Sequence, residues 1–74
     1  MKIICKFSTG NQKAIEVNPY EPVCSLLEKL KITDKNTMFL LNGCSFRIDS
    51  NMTFQEIGLF EGARIIIIGN IIEG

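Results

Sequence analysis

The sequence predicts an α+β domain, a mixed sheet of about four to five strands curled around one helix. Three observations predict it. Two alternating runs near the start flank the turn-forming stretch Ser8–Asn11. A single stripe of apolar residues at helical spacing follows. The second half then carries an Asn42-Gly43 hairpin signal and four consecutive isoleucines, Ile65–Ile68. A chain of 74 residues forms one domain, 1–74, and buries only roughly 60% of its unfolded surface, so these pieces must share one core. The economical arrangement lays the last strand beside the first and parallel to it, because a long connection with a helix separates them.

Each element has a local reason. In Met1–Phe7, Ile3 and Cys5 fall on one face and Lys2, Ile4 and Lys6 on the other, the period of a strand. Gly10 and Asn11 tolerate the positive φ of a turn. Lys13–Val17 closes the hairpin, with Ile15 and Val17 alternating against Ala14 and Glu16. Both prolines lie in Asn18–Pro22, where no ladder bonds are needed, and Pro22 suits the first position of a helix. Val23, Leu26, Leu27 and Leu30 form the apolar stripe of that helix, with Glu28, Lys29 and Lys31 on the wet side and Thr33–Asn36 as its end. Met38–Leu41 reads as a short strand, Asn42-Gly43 as its hairpin turn and Cys44–Ile48 as the returning strand. Asp49–Asn51 is loop. Thr53 can cap a short turn starting at Phe54, with Glu56 three residues after the cap. Arg64–Ile68 is the last strand. There is no repeat, low-complexity stretch or linker.

Composition narrows the function. Eight basic residues balance eight acidic ones, and no lysine or arginine cluster appears along the chain, which argues against nucleic acid and anionic membrane as partners. The longest apolar run, Ile65–Ile68, is far short of a membrane span, and the polar start does not read as a signal peptide. Cys5, Cys24 and Cys44 are odd in number and form no CxxC pair, and the chain has no histidine. Neither a disulfide framework nor a metal site is expected, and a cytoplasmic or other reducing compartment is. With no histidine base, no glycine-rich phosphate loop and no paired carboxylates, the sequence offers no catalytic residue, no cofactor site and no small-molecule substrate. A domain this small is expected to leave no room for an enzyme-sized pocket.

The chain resembles the ubiquitin-like domains of the β-grasp fold. The matching stretches are M-x-I-x-x-K in Met1–Lys6, Thr9-Gly10, E-V-x-P in Glu16–Pro19, Val23, Leu26 and Leu30 on the helix, Phe39–Gly43, Thr53–Leu59, and Ile65-x-Ile67. The resemblance implies a sheet in which the last strand lies between the first and the third. It implies that Ile3, Cys5, Ile15, Val17, Leu26, Leu30, Phe39, Leu41, Phe46, Leu59, Ile65 and Ile67 point inward. Lys13 departs from the pattern, standing where an aliphatic side chain is usual. Either the hairpin register shifts or the lysine stem lies along the core edge with its amine in water.

Period two then puts Ile4, Leu40, Ile66 and Ile68 on the outer face of the sheet. Leu40 and Ile68 match two members of the apolar patch through which ubiquitin binds partners. Ser8 stands where ubiquitin has leucine, and Ile66 where it has histidine. Soluble monomers seldom expose a contiguous apolar patch without a use for it. Burying each of these side chains would contribute on the order of 1.5–3 kcal/mol. The plainer alternative is that isoleucine favours strands whichever way it faces. The preferred reading is a non-covalent protein-interaction module, a small subunit or adaptor in a larger assembly. Its partner-binding set is Ile4, Leu40, Gly43, Ile66 and Ile68, with Ile71 and Ile72 lying across the same face. The alternative is a ubiquitin-like covalent modifier, or a sulfur carrier of the related branch that Leu26–Leu30, Leu41–Gly43 and Glu61–Ile65 also resemble, activated at Gly74. Gly74 falls at the distance of ubiquitin's terminal glycine, but Glu73 replaces the glycine before it. Lys6 and Lys29 match ubiquitin lysines and are the candidate modification sites, whereas Cys44 stands where ubiquitin carries a hairpin lysine.

Overall fold

The computed structural model describes residues 1–69. Five strands and one helix follow in the order β1 (Lys2–Phe7), β2 (Gln12–Glu16), α1 (Ser25–Lys29), β3 (Met38–Leu41), β4 (Cys44–Arg47) and β5 (Arg64–Ile68). The sheet order is β2-β1-β5-β3-β4. The last strand is thus central, parallel to β1 and antiparallel to β3, as the sequence led one to expect.

Local chemistry explains the hairpins. The first closes with Phe7 N–H donating to the Asn11 carbonyl at 2.8 Å. The second turns on Asn42 and Gly43, with φ of 52° and 80°. Positive φ at both central residues is the two-residue turn whose twist matches paired strands.

The helix is shorter than its apolar stripe. Pro22 forms an isolated bridge with Thr53 instead of opening the helix. The next two amides, of Val23 and Cys24, donate sideways to the Met52 and Ser50 carbonyls at 2.7 and 3.0 Å. At the other end Lys31 takes φ 55°. Its N–H reaches the Glu28 carbonyl at 3.2 Å, and the Ile32 N–H reaches that of Leu27 at 2.8 Å. These are the paired bonds of a Schellman stop, with a lysine where glycine is usual and with Ile32 as its buried apolar partner. The stop therefore falls before Thr33.

Ten of the residues expected inside are buried, from Ile3 and Cys5 through Phe39 to Ile65 and Ile67. Ile15 and Phe46 are only partly buried, packed against the core, because they lie on the two edge strands. Phe46 still stacks on Phe39, ring centres 5.6 Å apart. Phe7, Val23, Ile32, Ile48, Phe54 and Ala63 complete the core. The first hairpin keeps its register, Ile3 opposite Ile15 and Cys5 opposite Lys13. Lys13 therefore shares the strand face of Cys5 at the sheet edge and stays exposed.

The connection into β5 uses the expected reciprocal cap. Thr53 N–H donates to Glu56 Oε1 at 2.9 Å and Glu56 N–H donates to Thr53 Oγ1 at 3.1 Å. The Thr53 bonds, the backbone one foremost, hold the Glu56 carboxyl below its ordinary 4.5.

Two outcomes follow. Lys31→Gly relieves a left-handed lysine, so the unfolding free energy read from urea titration should rise by up to about 1 kcal/mol once the added freedom of the unfolded chain is subtracted. The Glu56 contribution, with its folded-state value the lower one, is complete above the ordinary value and lost as pH falls through the folded one. Urea midpoints taken from about pH 7 down to about pH 3 should therefore fall less steeply in Glu56→Gln than in the parent chain.

Candidate protein-binding face

The outer face of the sheet is built by strand period and register. On β5, Ile65 and Ile67 are fully buried while Arg64, Ile66 and Ile68 point out. On β1 the outward residues are Lys2, Ile4 and Lys6, and on β3 they are Met38 and Leu40. Antiparallel pairing sets Leu40 opposite Ile66 and Met38 opposite Ile68. These four form an apolar block across β5 and β3. Ile66 and Ile68 are each 45% exposed, and Leu40 and Met38 are half-buried.

Ile4 joins the block only on the diagonal. Parallel pairing sets Ile4 beside Arg64 and Lys6 beside Ile66. Cations, not aliphatic groups, are therefore the direct cross-strand neighbours on that side. The four aliphatic residues read from the sequence do lie outward on three adjacent strands, and the fifth member, Met38, was missed there. Its signal was available: Met38 and Leu40 share the same parity on one strand.

Between β1 and the β3–β4 hairpin the face dips into an open depression of about 390 Å³. Ile4, Leu40 and Ile66 line it together with Lys6, Arg64 and Gly43, and with the amides of Gln12 and Asn42. Strands pack too flatly to enclose a cavity, but their twist and the hairpin rim make a shallow one. The fold also brings two basic groups to this face. Lys6 and Arg64 lie far apart in sequence and meet through the parallel β1–β5 register.

The remaining sequence-predicted residues scatter. Lys6 belongs to this face and is exposed. Lys29 is on the helix, where its Nζ lies 3.7 Å from Glu21 Oε1. Ile71, Ile72 and Gly74 lie outside the described residues. Cys44 is exposed on the hairpin, Cys24 is half-buried and Cys5 is buried. Burial pushes the Cys5 thiol up to about 11, against a smaller opposing effect of the Lys13 charge. Among the described residues, no group of acidic, cysteine or histidine side chains could hold a metal ion. No described helix is long and apolar enough to cross a membrane.

No protein-family model matches the chain, and no curated protein does. Among solved structures, it is similar to the ubiquitin-like domain of an Arabidopsis thaliana protein determined in solution by NMR. The TM-score is 0.79 at 24% identity, over 100% of this chain and 81% of that one. The fold is the ubiquitin-like β-grasp. The five-stranded mixed sheet and its single helix are the two halves of that grasp, and at this identity the likeness establishes architecture alone.

The thiols separate cleanly. In native protein at about pH 8, a disulfide-exchange dye should modify Cys44 fastest and leave Cys5 unmodified until denaturant is added. Intact-mass and peptide mapping would read the order, and early modification of Cys5 would show that the β1 core is open.

Proposed function

We propose that this β-grasp domain is a protein-interaction module that docks a partner through the outer face of its sheet. The observation that carries the reading is the apolar block of Leu40, Ile66, Met38 and Ile68 on the adjacent inner strands β3 and β5, continued on the diagonal by Ile4. The block lies on the most constrained part of the molecule, where β5 is bonded on both sides. A rigid platform loses little entropy on association, so a small patch can hold a partner. Tyr20 and Phe60 are also exposed, but single exposed apolar side chains are ordinary surface and need no partner. The role is binding rather than catalysis, and a place as a small subunit or adaptor inside a reducing compartment fits it. Activation of the Gly74 carboxylate is the competing role. It predicts denaturant-resistant adducts in lysate that vanish on deletion of Gly74, whereas docking predicts none.

Ile68→Asp puts a charge on the exposed edge of the block and leaves the core face untouched. Capture of partners from the lysate of cells expressing the chain should fall by roughly tenfold or more, with the circular dichroism spectrum unchanged. Undiminished capture by the folded variant would refute docking through this face.

A further inference from the structure

The β3–β4 hairpin turns on Asn42 and Gly43, and the chemistry of that pair goes beyond making a turn. Asparagine is among the chemically labile side chains, and Asn42 is the chain's only asparagine followed by glycine. Asn42 is exposed, and its side-chain amide takes no hydrogen bond among the described residues. Elsewhere such amides are tied: Asn18 Oδ1 accepts the Tyr20 N–H at 2.9 Å, and Asn36 Oδ1 accepts from Arg47 at 3.3 Å. The Gly43 N–H donates to no backbone carbonyl among the described residues. A side chain at Gly43 would meet nothing within 4 Å, so nothing crowds its nitrogen.

We propose that Asn42 is a self-modification site, at which the Gly43 backbone nitrogen converts the asparagine to aspartate or isoaspartate. The nitrogen gives up its proton to water or hydroxide and attacks the Asn42 side-chain carbonyl carbon. The bond from that carbon to the side-chain nitrogen breaks, and ammonia leaves. Water then opens the five-membered imide at one of its two carbonyls. One opening restores the main chain and leaves aspartate. The other leaves isoaspartate, with the main chain running through the former side chain. One water is consumed and one ammonia released, with no oxidant or cofactor.

The hairpin permits the ring closure. Asn42 and Gly43 have φ of 52° and 80°, the signs of one favoured two-residue turn. The other favoured turn differs by a flip of the peptide between them, to ψ of about −120° at the first residue and φ of about −80° at the second. That flip brings the Gly43 nitrogen round to the Asn42 side chain. Glycine accepts either sign of φ, and the pairing of Leu41 with Cys44 stays in place. Either product alters the rim of the sheet face. Aspartate sets a negative charge in the depression that Lys6 and Arg64 also line. Isoaspartate lengthens the turn that sets Leu40 opposite Ser45. The effect on docking rests on the sheet face being the docking surface, whereas the reaction does not.

The test ages the full chain in mildly alkaline buffer with reductant, folded throughout by circular dichroism, beside a free peptide of residues 40–45. Peptide mapping by mass should find the one-dalton gain at Asn42 before any other asparagine, with both isomers recovered. New amide signals at Leu41, Cys44 and Ser45 should grow at the same rate. Asn42→Gln, which would need a six-membered ring, should show no gain at that position over the same period. First conversion at another asparagine overturns the proposal, and so does an unchanged Asn42 once the free peptide has converted completely. Aged chain should also capture less partner from lysate than fresh chain. If aged and fresh chain capture equally while Ile68→Asp loses capture, the docking face stands and the effect of the modification on it falls. If Ile68→Asp captures as well as both, the docking face itself falls.

Discussion

The parallel pairing of β1 with β5 is the constraint on which the rest of the structure depends. It joins the two ends of the described chain, Cys5 to Ile65 and Phe7 to Ile67, and makes the last of the described strands the centre of the sheet. Until β5 is in place, Ile3, Cys5 and Phe39 lack the neighbours that bury them. Its four isoleucines answer two demands at once. Ile65 and Ile67 are fully buried while Ile66 and Ile68 stand in solvent. A slip of one residue would exchange the sets and put Arg64 toward the interior. The core and the candidate face are thus two sides of a single register, and neither can be altered in position without the other.

That coupling explains why so much of the fold was legible in the sequence. Strand parity at Met1–Phe7 and Arg64–Ile68, the Asn42-Gly43 turn and the Thr53–Glu56 cap are local signals, and local backbone chemistry fixes them. The misread parts were fixed from elsewhere in the chain. Pro22 looks like a helix start, but the amides after it are claimed by Met52 and Ser50, which no helical pattern announces. Ile48 and Phe54 are fully buried, their amides tied to the Thr37 and Glu21 carbonyls, and for Phe54 no periodic run announces it. Lys31 ends the helix in a conformation usually left to glycine, so its side chain gave no warning.

The candidate site divides the same way. The aliphatic members of the face follow from period two on each strand taken alone. The basic pair does not, because Lys6 and Arg64 become neighbours only through the parallel register. A list of charges along the chain sees two unrelated residues, whereas the folded surface sees a depression with an aliphatic floor and a cationic wall. The β-grasp architecture supports many roles, and it is this arrangement of side chains, not the architecture, that argues for binding.

The sorting of charge has a consequence beyond recognition. Eight positive and eight negative side chains cancel in the sum, but the strands carry Lys2, Lys6, Lys13, Arg47 and Arg64 against Glu16 alone, while on the described helix, loops and turns Glu21, Glu28, Asp34, Asp49, Glu56 and Glu61 outnumber Lys29, Lys31 and Lys35, so charge is unevenly spread over the surface. Near its isoelectric point it will behave as a neutral particle in free electrophoresis and yet orient itself against a charged matrix. Ion-exchange media of either sign could retain it there, each presenting the opposite side of the domain to the mobile phase.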